Sequence, residues 1–314
     1  MTFGAESTTD DVLEGVDLSG KRVLVTGASA GLGQETSRAV ADHGGDVIMG
    51  VRDLEKGKVA AEPVLAAAAS TGATIELRAV DLASLASVRA FTDDVLADYD
   101  HIDVLIANAG VMACPEAHTV DGFEMQLGTN HLGHFVLVNR LRPLLSSGSR
   151  IVNLSSRGHR FSDVDLADPG FEETPYDPWV AYGRSKTANI LFAVELDRRG
   201  REAGVRATAL HPGGIHTELG RHMDEDALNA LIAAQKGRST VWKSVPQGAA
   251  TSVWCGFVAP AEEIGGRYCE DCHVAEVTDD PAASTGVFSY ALDPATAAAL
   301  WARSEELVGE SFPA

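Results

Sequence analysis

Basic residues are scarce in this chain. Lysine and arginine together number 25 against 45 aspartates and glutamates, a formal charge of -20 over 314 residues. Affinity for nucleic acid rests on cationic contacts to phosphate, and anionic lipid surfaces attract the same residues, so neither is expected as a partner. Long apolar runs are missing too: no stretch approaches the ~20 residues that a membrane helix needs. The N-terminus carries Glu6, Asp10, Asp11 and Glu14 and lacks the basic and apolar regions of a secretory leader. The expectation is a cytoplasmic protein without a membrane anchor. Cysteine is sparse, at Cys114, Cys255, Cys269 and Cys272. The last two make a C-x-x-C beside His273, without a second pair for zinc or a strand-to-helix setting for redox chemistry. No metal is expected. His211 and His216 also lack partners at ligand spacing and read as loop residues.

Glycine, by contrast, is plentiful at 31 residues, and its most informative placement comes early. Val23, Leu24 and Val25 form a short apolar run of the kind buried on both faces of a sheet. Gly27, Gly31 and Gly33 follow, and Gln34 to Val40 opens a helix. Glycine lets the backbone turn tightly and approach a ligand, and a helix start offers free N–H groups and partial positive charge to a pyrophosphate. The spacing G-x-x-x-G-x-G departs from the G-x-G-x-x-G fingerprint, yet strand, glycine turn and helix form the first βα crossing of a dinucleotide fold.

Further along, strands are expected at 46–51, 74–80, 102–107, 150–154 and 205–210, with a late edge strand near Cys269. Helices are expected from Leu54 to about Ser70, from Ser84 to Tyr99, through Asn130 to about Leu145, and around Tyr182 and Lys186. Strands alternating with helices imply an α/β fold: a single doubly wound parallel sheet, Rossmann-type, of about seven strands with helices on both faces. Residues 1–19 read as a polar tail and 20–314 as one NAD(P)-binding catalytic domain. Two segments fall on the substrate side. Residues 157–181 carry Phe161, Phe171, Tyr176 and Trp179; residues 216–245 carry Leu219, Met223, Leu228, Leu231, Ile232 and Trp242. They either wall a greasy pocket or pack on the domain or a partner subunit.

Tyr182 and Lys186 stand four apart, so they share a helix face. A phenol with a pKa near ~10 is a poor base. A nearby ammonium and the positive ring of an oxidised nicotinamide are expected to lower it. A tyrosine tuned in this way takes a proton from an alcohol, or gives one to a carbonyl, as hydride moves. Ser156 ends a strand and could donate a hydrogen bond to the substrate oxygen. Ser155 and Ser156 point to opposite faces, and the residues alone do not choose between them.

Taken in order, these pieces resemble the short-chain dehydrogenase/reductase family over roughly residues 20–275. Thr26-Gly27 with Gly31 and Gly33 matches its glycine turn, which also holds Ser29, Ala30 and Leu32. Asp81, with Leu82 beside it, matches the aspartate on the adenine, and Asn108-Ala109-Gly110 matches the N-A-G motif. Ala107 departs from the usual N-N-A-G. Asn130, Ser156, Tyr182 and Lys186 match the catalytic tetrad, and the alignment selects Ser156. The resemblance implies that Asn130 holds a water relaying protons to Lys186, and that Lys186 holds the nicotinamide ribose. Pro212-Gly213 matches the P-G turn, with Ile215 and Thr217 following as cofactor contacts. Gly110-Val111-Met112, Thr129 to Phe135 and Gly265 to Tyr268 look most like the retinol-dehydrogenase branch.

The activity so implied is NAD(P)-dependent interconversion of an alcohol and its ketone or aldehyde, on a lipophilic small molecule. A non-catalytic cofactor-binding sensor or scaffold would be expected to lose Tyr182 or Lys186. An epimerase, lyase or dehydratase on the same cofactor site would need a larger C-terminal part. Family members usually form homodimers or homotetramers through the helices bearing Asn130 and Tyr182. Val136, Leu137, Leu141, Ile190, Leu191 and Val194 would supply that apolar surface, although some of it must face the sheet. For the cofactor, Asp53 lies twenty residues past Gly33, where a carboxylate marks NAD. The strand end itself is Val51, followed by Arg52, whose guanidinium can fork onto a 2′-phosphate. NADP is therefore the expected preference, with NAD the alternative.

Overall fold

In the computed structural model, which describes residues 3–215 and 242–312, the apolar runs become a sheet. Its strands are β1 (Arg22–Thr26), β2 (Asp46–Val51), β3 (Ile75–Ala79), β4 (Val104–Ala107), β5 (Arg150–Leu154), β6 (Arg206–His211), β9 (Tyr268–Glu270) and β10 (His273–Val274). They lie in the order β10-β9-β6-β5-β4-β1-β2-β3. Every neighbouring pair is parallel except β9 and β10. The count is thus eight where about seven were expected. The extra strand is the two-residue β10, folded back through a turn in which Asp271 and Cys272 are left-handed, φ 48 and 57. Separately, β7 (Gly214–Ile215) pairs with β8 (Trp242–Lys243).

Side chains alternate across a strand, and β1 shows the result. Val23 and Val25 join one apolar layer with Val40 of α2 (Gly31–Asp42) and Val64 of α3 (Leu54–Thr71). Leu24 joins the other, with Phe91 of α4 (Leu85–Asp98), Phe135 of α6 (Gly133–Arg140) and Phe192 of α7 (Pro178–Gly200). Helices therefore cover both faces.

Two expectations are corrected. The first nineteen residues, expected as a polar tail, hold the short helix α1 (Thr9–Leu13), closed by a capping box between Thr8 and Asp11. Val12, Leu13 and Leu18 join the core with Val253 of α8 (Val245–Val253); a few apolar residues in a polar run suffice for one docked turn. The helix expected from Asn130 to about Leu145 is broken. It comprises α5 (Met125–Leu127), a π-helical turn over Gly128–Leu132, α6, and a 3-10 turn over Arg142–Leu144 that contains Pro143, which cannot continue an α-helix.

The helices expected to pair subunits also make contacts within the chain. After α9 (Ala261–Ile264), the long helix α10 (Pro294–Val308) lies over α6 and α7. Trp301 meets the Phe135 and Phe192 rings at centroid distances of 5.0 and 5.9 Å, and Ala297 and Leu300 cluster with Ala188 and Leu191. Leu191 is buried under this helix, Ile190 against Ala209 and Tyr268, and Val136, Leu137 and Leu141 in the layer that includes the sheet residues Leu105 and Ile151; Val194 is half-buried. Among the described residues no helix is long and apolar enough to cross a membrane. Residues 216–241, with Leu219, Met223, Leu228, Leu231 and Ile232, lie outside the described residues, as do His216 and Thr217.

Candidate active site

The strand order reverses between β1 and β4, and ligands of open α/β sheets bind in the crevice at such a switch point. The candidate residues collect there, at the C-terminal ends of β1, β4, β5 and β6. Gly27 is left-handed, φ +66, and a Cβ on it would lie 2.8 Å from the Ala109 Cα. A Cβ on Gly33 would lie 2.5 Å from the Gly27 carbonyl oxygen and 2.6 Å from Asn108 Nδ2. Both positions are closed to larger residues, which brings the start of α2 against the ends of β1 and β4. No side chain caps α2 at Ala30, so its first N–H groups remain available to an anion. Ser29, Gly31 and Leu32 complete this turn, a cradle that fits a dinucleotide pyrophosphate.

Asn108 braces the cradle. Its Nδ2 donates to the Thr26 carbonyl at 2.8 Å, while the N–H groups of Asn108 and Ala109 donate to Thr26 Oγ1 at 3.0 and 3.1 Å. Asp81 receives the Ala83 N–H at 3.0 Å, with Leu82 buried beside it. At the end of β2, Val51 is buried and Arg52 exposed. Asp53 Oδ1 receives the N–H groups of Glu55 and Lys56 at 2.9 and 3.1 Å; its carboxylate is the N-cap of α3. Gly213, φ +101, follows Pro212, and the Lys243 stem fills the place its Cβ would take. Ile215 of β7 rests against Gly248 of α8.

The two serines part as alternation requires. Ser155 Oγ donates to the Lys186 carbonyl at 2.8 Å. Ser156 Oγ accepts the Gly158 N–H at 3.0 Å and hydrogen-bonds the Tyr182 hydroxyl. Burial pushes the Tyr182 phenol up to about 12, with the Ser156 bond acting in the opposite direction. In the chain without a cofactor, burial outweighs the expected lowering. The ammonium stands 5.8 Å from the ring centroid, and burial brings Lys186 itself down to about 8. In the chain alone Tyr182 is a proton donor at neutral pH. Lys186 Nζ donates to the Leu154 carbonyl at 3.0 Å, leaving donors for a ligand.

Asn130 sits in the π-helical turn, a feature frequent at functional sites. Its Oδ1 accepts the Val111 N–H at 2.8 Å; its Nδ2 donates to the Val111 carbonyl and to Ser185 Oγ, both at 2.9 Å. The amide is fully engaged in joining the end of β4 to α7. A Cβ on Gly110 would stand 3.1 Å from Asn130 Oδ1 and 3.4 Å from Lys186 Nζ, so these three residues meet at close range.

The 157–181 segment is anchored in two ways. Tyr176 donates to the Cys114 carbonyl at 2.9 Å and receives Gln126 Nε2 at 3.0 Å, beside the loop that follows Gly110. Val164 and Leu166 pack on the cluster formed by α7 and α10. Phe161 and Trp179 meet edge to face at 5.6 Å. A cleft of about 400 Å³, lined by Ile151, Leu196, Arg199 and Trp301 among others, lies toward the opposite ends of β5 and β6.

Two histidines escaped the sequence reading. His159 Nδ1 is 2.7 Å from the Ser156 carbonyl, and its Nε2 receives the Phe288 N–H at 3.2 Å. His134 Nδ1 is 3.0 Å from the Asn130 carbonyl, and its Nε2 is 2.8 Å from Thr26 Oγ1. Their spacing, three and four residues beyond Ser156 and Asn130, was the available signal.

The profile described as short chain dehydrogenase matches residues 21–228. The chain is 41% identical to "Short-chain dehydrogenase/reductase prx1" of Penicillium roqueforti, over 98% of this chain and 92% of that protein. It is 40% identical to "Retinol dehydrogenase 11" of Mus musculus, over 84% and 81%. A crystal structure of an uncharacterised protein from Mycobacterium Paratuberculosis superposes with a TM-score of 0.73 at 36% identity, covering 98% of this chain and all of the other.

Proposed function

The chain belongs to the short-chain dehydrogenase/reductase family and is an oxidoreductase of that family; from this premise we propose that it interconverts a lipophilic alcohol and its ketone or aldehyde, preferring NADP. The observation that carries the reading is the convergence of Ser156, Tyr182 and Lys186 beside the glycine cradle. A nicotinamide cofactor held in this cradle would supply or accept the hydride. Tyr182, protonated at neutral pH, hands its proton to the carbonyl oxygen as negative charge develops there; in the alcohol direction it first releases its own proton through the relay toward Lys186 and solvent, and the phenolate then takes the alcohol's proton. Ser156 donates to the same oxygen and stabilises the charge. Lys186 uses its remaining donors on the nicotinamide ribose. Asn130, whose amide is occupied, offers its main-chain carbonyl to the water that relays protons to Lys186.

The glycine turn and the open start of α2 hold the pyrophosphate. Arg52 meets the 2′-phosphate, and Asp53 commits Oδ1 to the cap of α3, which turns its carboxylate toward that helix and favours NADP over NAD. Phe161 and Trp179 give the substrate an apolar wall. The test is a screen of the purified chain against alcohols and carbonyls with both cofactors, read by absorbance of the reduced form. Turnover with NADP(H) favoured is expected. Tight cofactor binding with no hydride transfer to any compound would mean a sensor instead.

A further inference from the structure

We propose that His134 is a positioning residue for the reaction: its imidazole holds the main-chain carbonyl of Asn130 and ties it to the strand end that braces the cofactor cradle. The inference rests on the reading that this carbonyl carries the relay water.

The proton on the ring is assigned by its surroundings. Thr26 Oγ1 already accepts the N–H groups of Asn108 and Ala109 at 3.0 and 3.1 Å. Both lone pairs of the hydroxyl are then occupied, so its own hydrogen goes to the remaining neighbour, His134 Nε2, 2.8 Å away. Nε2 is therefore the bare nitrogen, and Nδ1 carries the hydrogen that reaches the Asn130 carbonyl at 3.0 Å. The opposite tautomer would set two lone pairs against each other across that distance. The ring is neutral as well: burial brings its pKa down to about 4, and the charge on Lys186 acts in the same direction.

The chain of contacts runs from the Asn108 and Ala109 amides through the Thr26 hydroxyl and the imidazole to the Asn130 carbonyl. Asn130 lies in a π-helical turn, where the carbonyls are not all aligned by regular i to i+4 bonding. A side-chain donor four residues on fixes what the helix ladder there leaves loose. The Asn130 amide cannot do this, because Val111 and Ser185 occupy it. A carbonyl has two lone pairs, so the imidazole leaves one for the water.

Two isosteric replacements separate the two bonds. In His134→Asn the amide nitrogen takes the place of Nδ1 and keeps the donor to Asn130. In His134→Gln the amide end takes the place of Nε2 and keeps only the contact to Thr26. The kcat of carbonyl reduction, thermal melting and NADPH affinity by cofactor fluorescence are measured for both. His134→Gln is expected to lose kcat roughly ten- to a hundredfold, the scale of a displaced reacting group, at nearly unchanged NADPH Kd. His134→Asn is expected to retain a kcat about tenfold above it. Since each variant loses one bond, a difference in kcat alone, at matched melting temperatures, cannot be a folding defect.

Equal kcat in wild type and both variants, or rescue by Gln and not by Asn, overturns the assignment. Nitrogen-15 spectra of the wild type give a readout independent of turnover. A neutral His134 ring protonated at Nδ1 at pH 7 is expected; an Nε2-protonated or charged ring refutes it. A wild type without hydride transfer would instead sink the functional reading, while leaving the spectrum interpretable.

Discussion

Tyr182 and Lys186 are buried, and burial acts on them in opposite senses, toward about 12 and about 8. Tyr182→Phe removes the proton and little else; kcat is expected to fall on the order of 10²–10⁴-fold with the cofactor Kd retained, as single-turnover and binding assays would show. The lysine sets a pH dependence. Its charged form, the one that attracts a cofactor, is lost as pH rises through about 8. Because kcat/KM reports the free enzyme, kcat/KM for NADPH should decline above that pH, and Lys186→Met should lack the inflection. Arg52→Ala is expected to narrow or reverse the ratio of kcat/KM for NADP over NAD. At this scale the sequence was legible wherever chemistry depends on spacing, as for Tyr182 and Lys186. Asp53 was ambiguous by counting alone, but an aspartate directly before Leu54-Glu55-Lys56 is also a helix N-cap signature, and the cap is what forms. The direction of the Tyr182 shift was not legible, since desolvation depends on what the whole fold places around the ring.

Among elements, the glycine cradle allows a sharp test. Gly33→Ala puts a Cβ 2.5 Å from the Gly27 carbonyl, and the expected result is loss of NADPH binding, seen by fluorescence titration, with circular dichroism little altered. Continuous apolar runs such as Val23-Leu24-Val25 announced the parallel strands, because nothing else buries both faces. The π-helical turn at Asn130 has no comparable signature in the residues from Thr129 to Gly133. α1 was equally hidden, since Val12 and Leu13 make too short an apolar pattern to distinguish a docked turn from a tail. α10 was not read from the sequence, and which surface it covers is a long-range fact. Trp301→Ala should cost about 3–5 kcal/mol, the range for emptying a buried aromatic site, measurable as a shift in denaturation midpoint.

For the molecule as a whole, His131, His134 and His159 are buried and His211 half-buried, with desolvation taking their pKa values to about 3, 4, 4 and 3. An unfolded histidine titrates near 6.5, so below that pH the unfolded state binds more protons. Stability must then drop as pH falls from about 6.5 toward 4. Urea midpoints measured from pH 7 to pH 5 should decrease steadily, and an unchanged midpoint would contradict the buried, neutral rings. With α10 over α7 and Trp301 against Phe135 and Phe192, part of the face expected to pair subunits is covered within the chain; a homodimer or homotetramer is still the expectation, and sedimentation at micromolar concentration showing only a species near 33.0 kDa would overturn it. The same helix has a consequence in time. Chains are made from the N-terminus, at roughly 5–20 residues per second, and Tyr182 and Lys186 emerge long before residues 294–308. A nascent chain can hold every reacting group and still show Phe135, Phe192 and Leu191 to water and to chaperones. Competence in this protein is therefore an event of late translation.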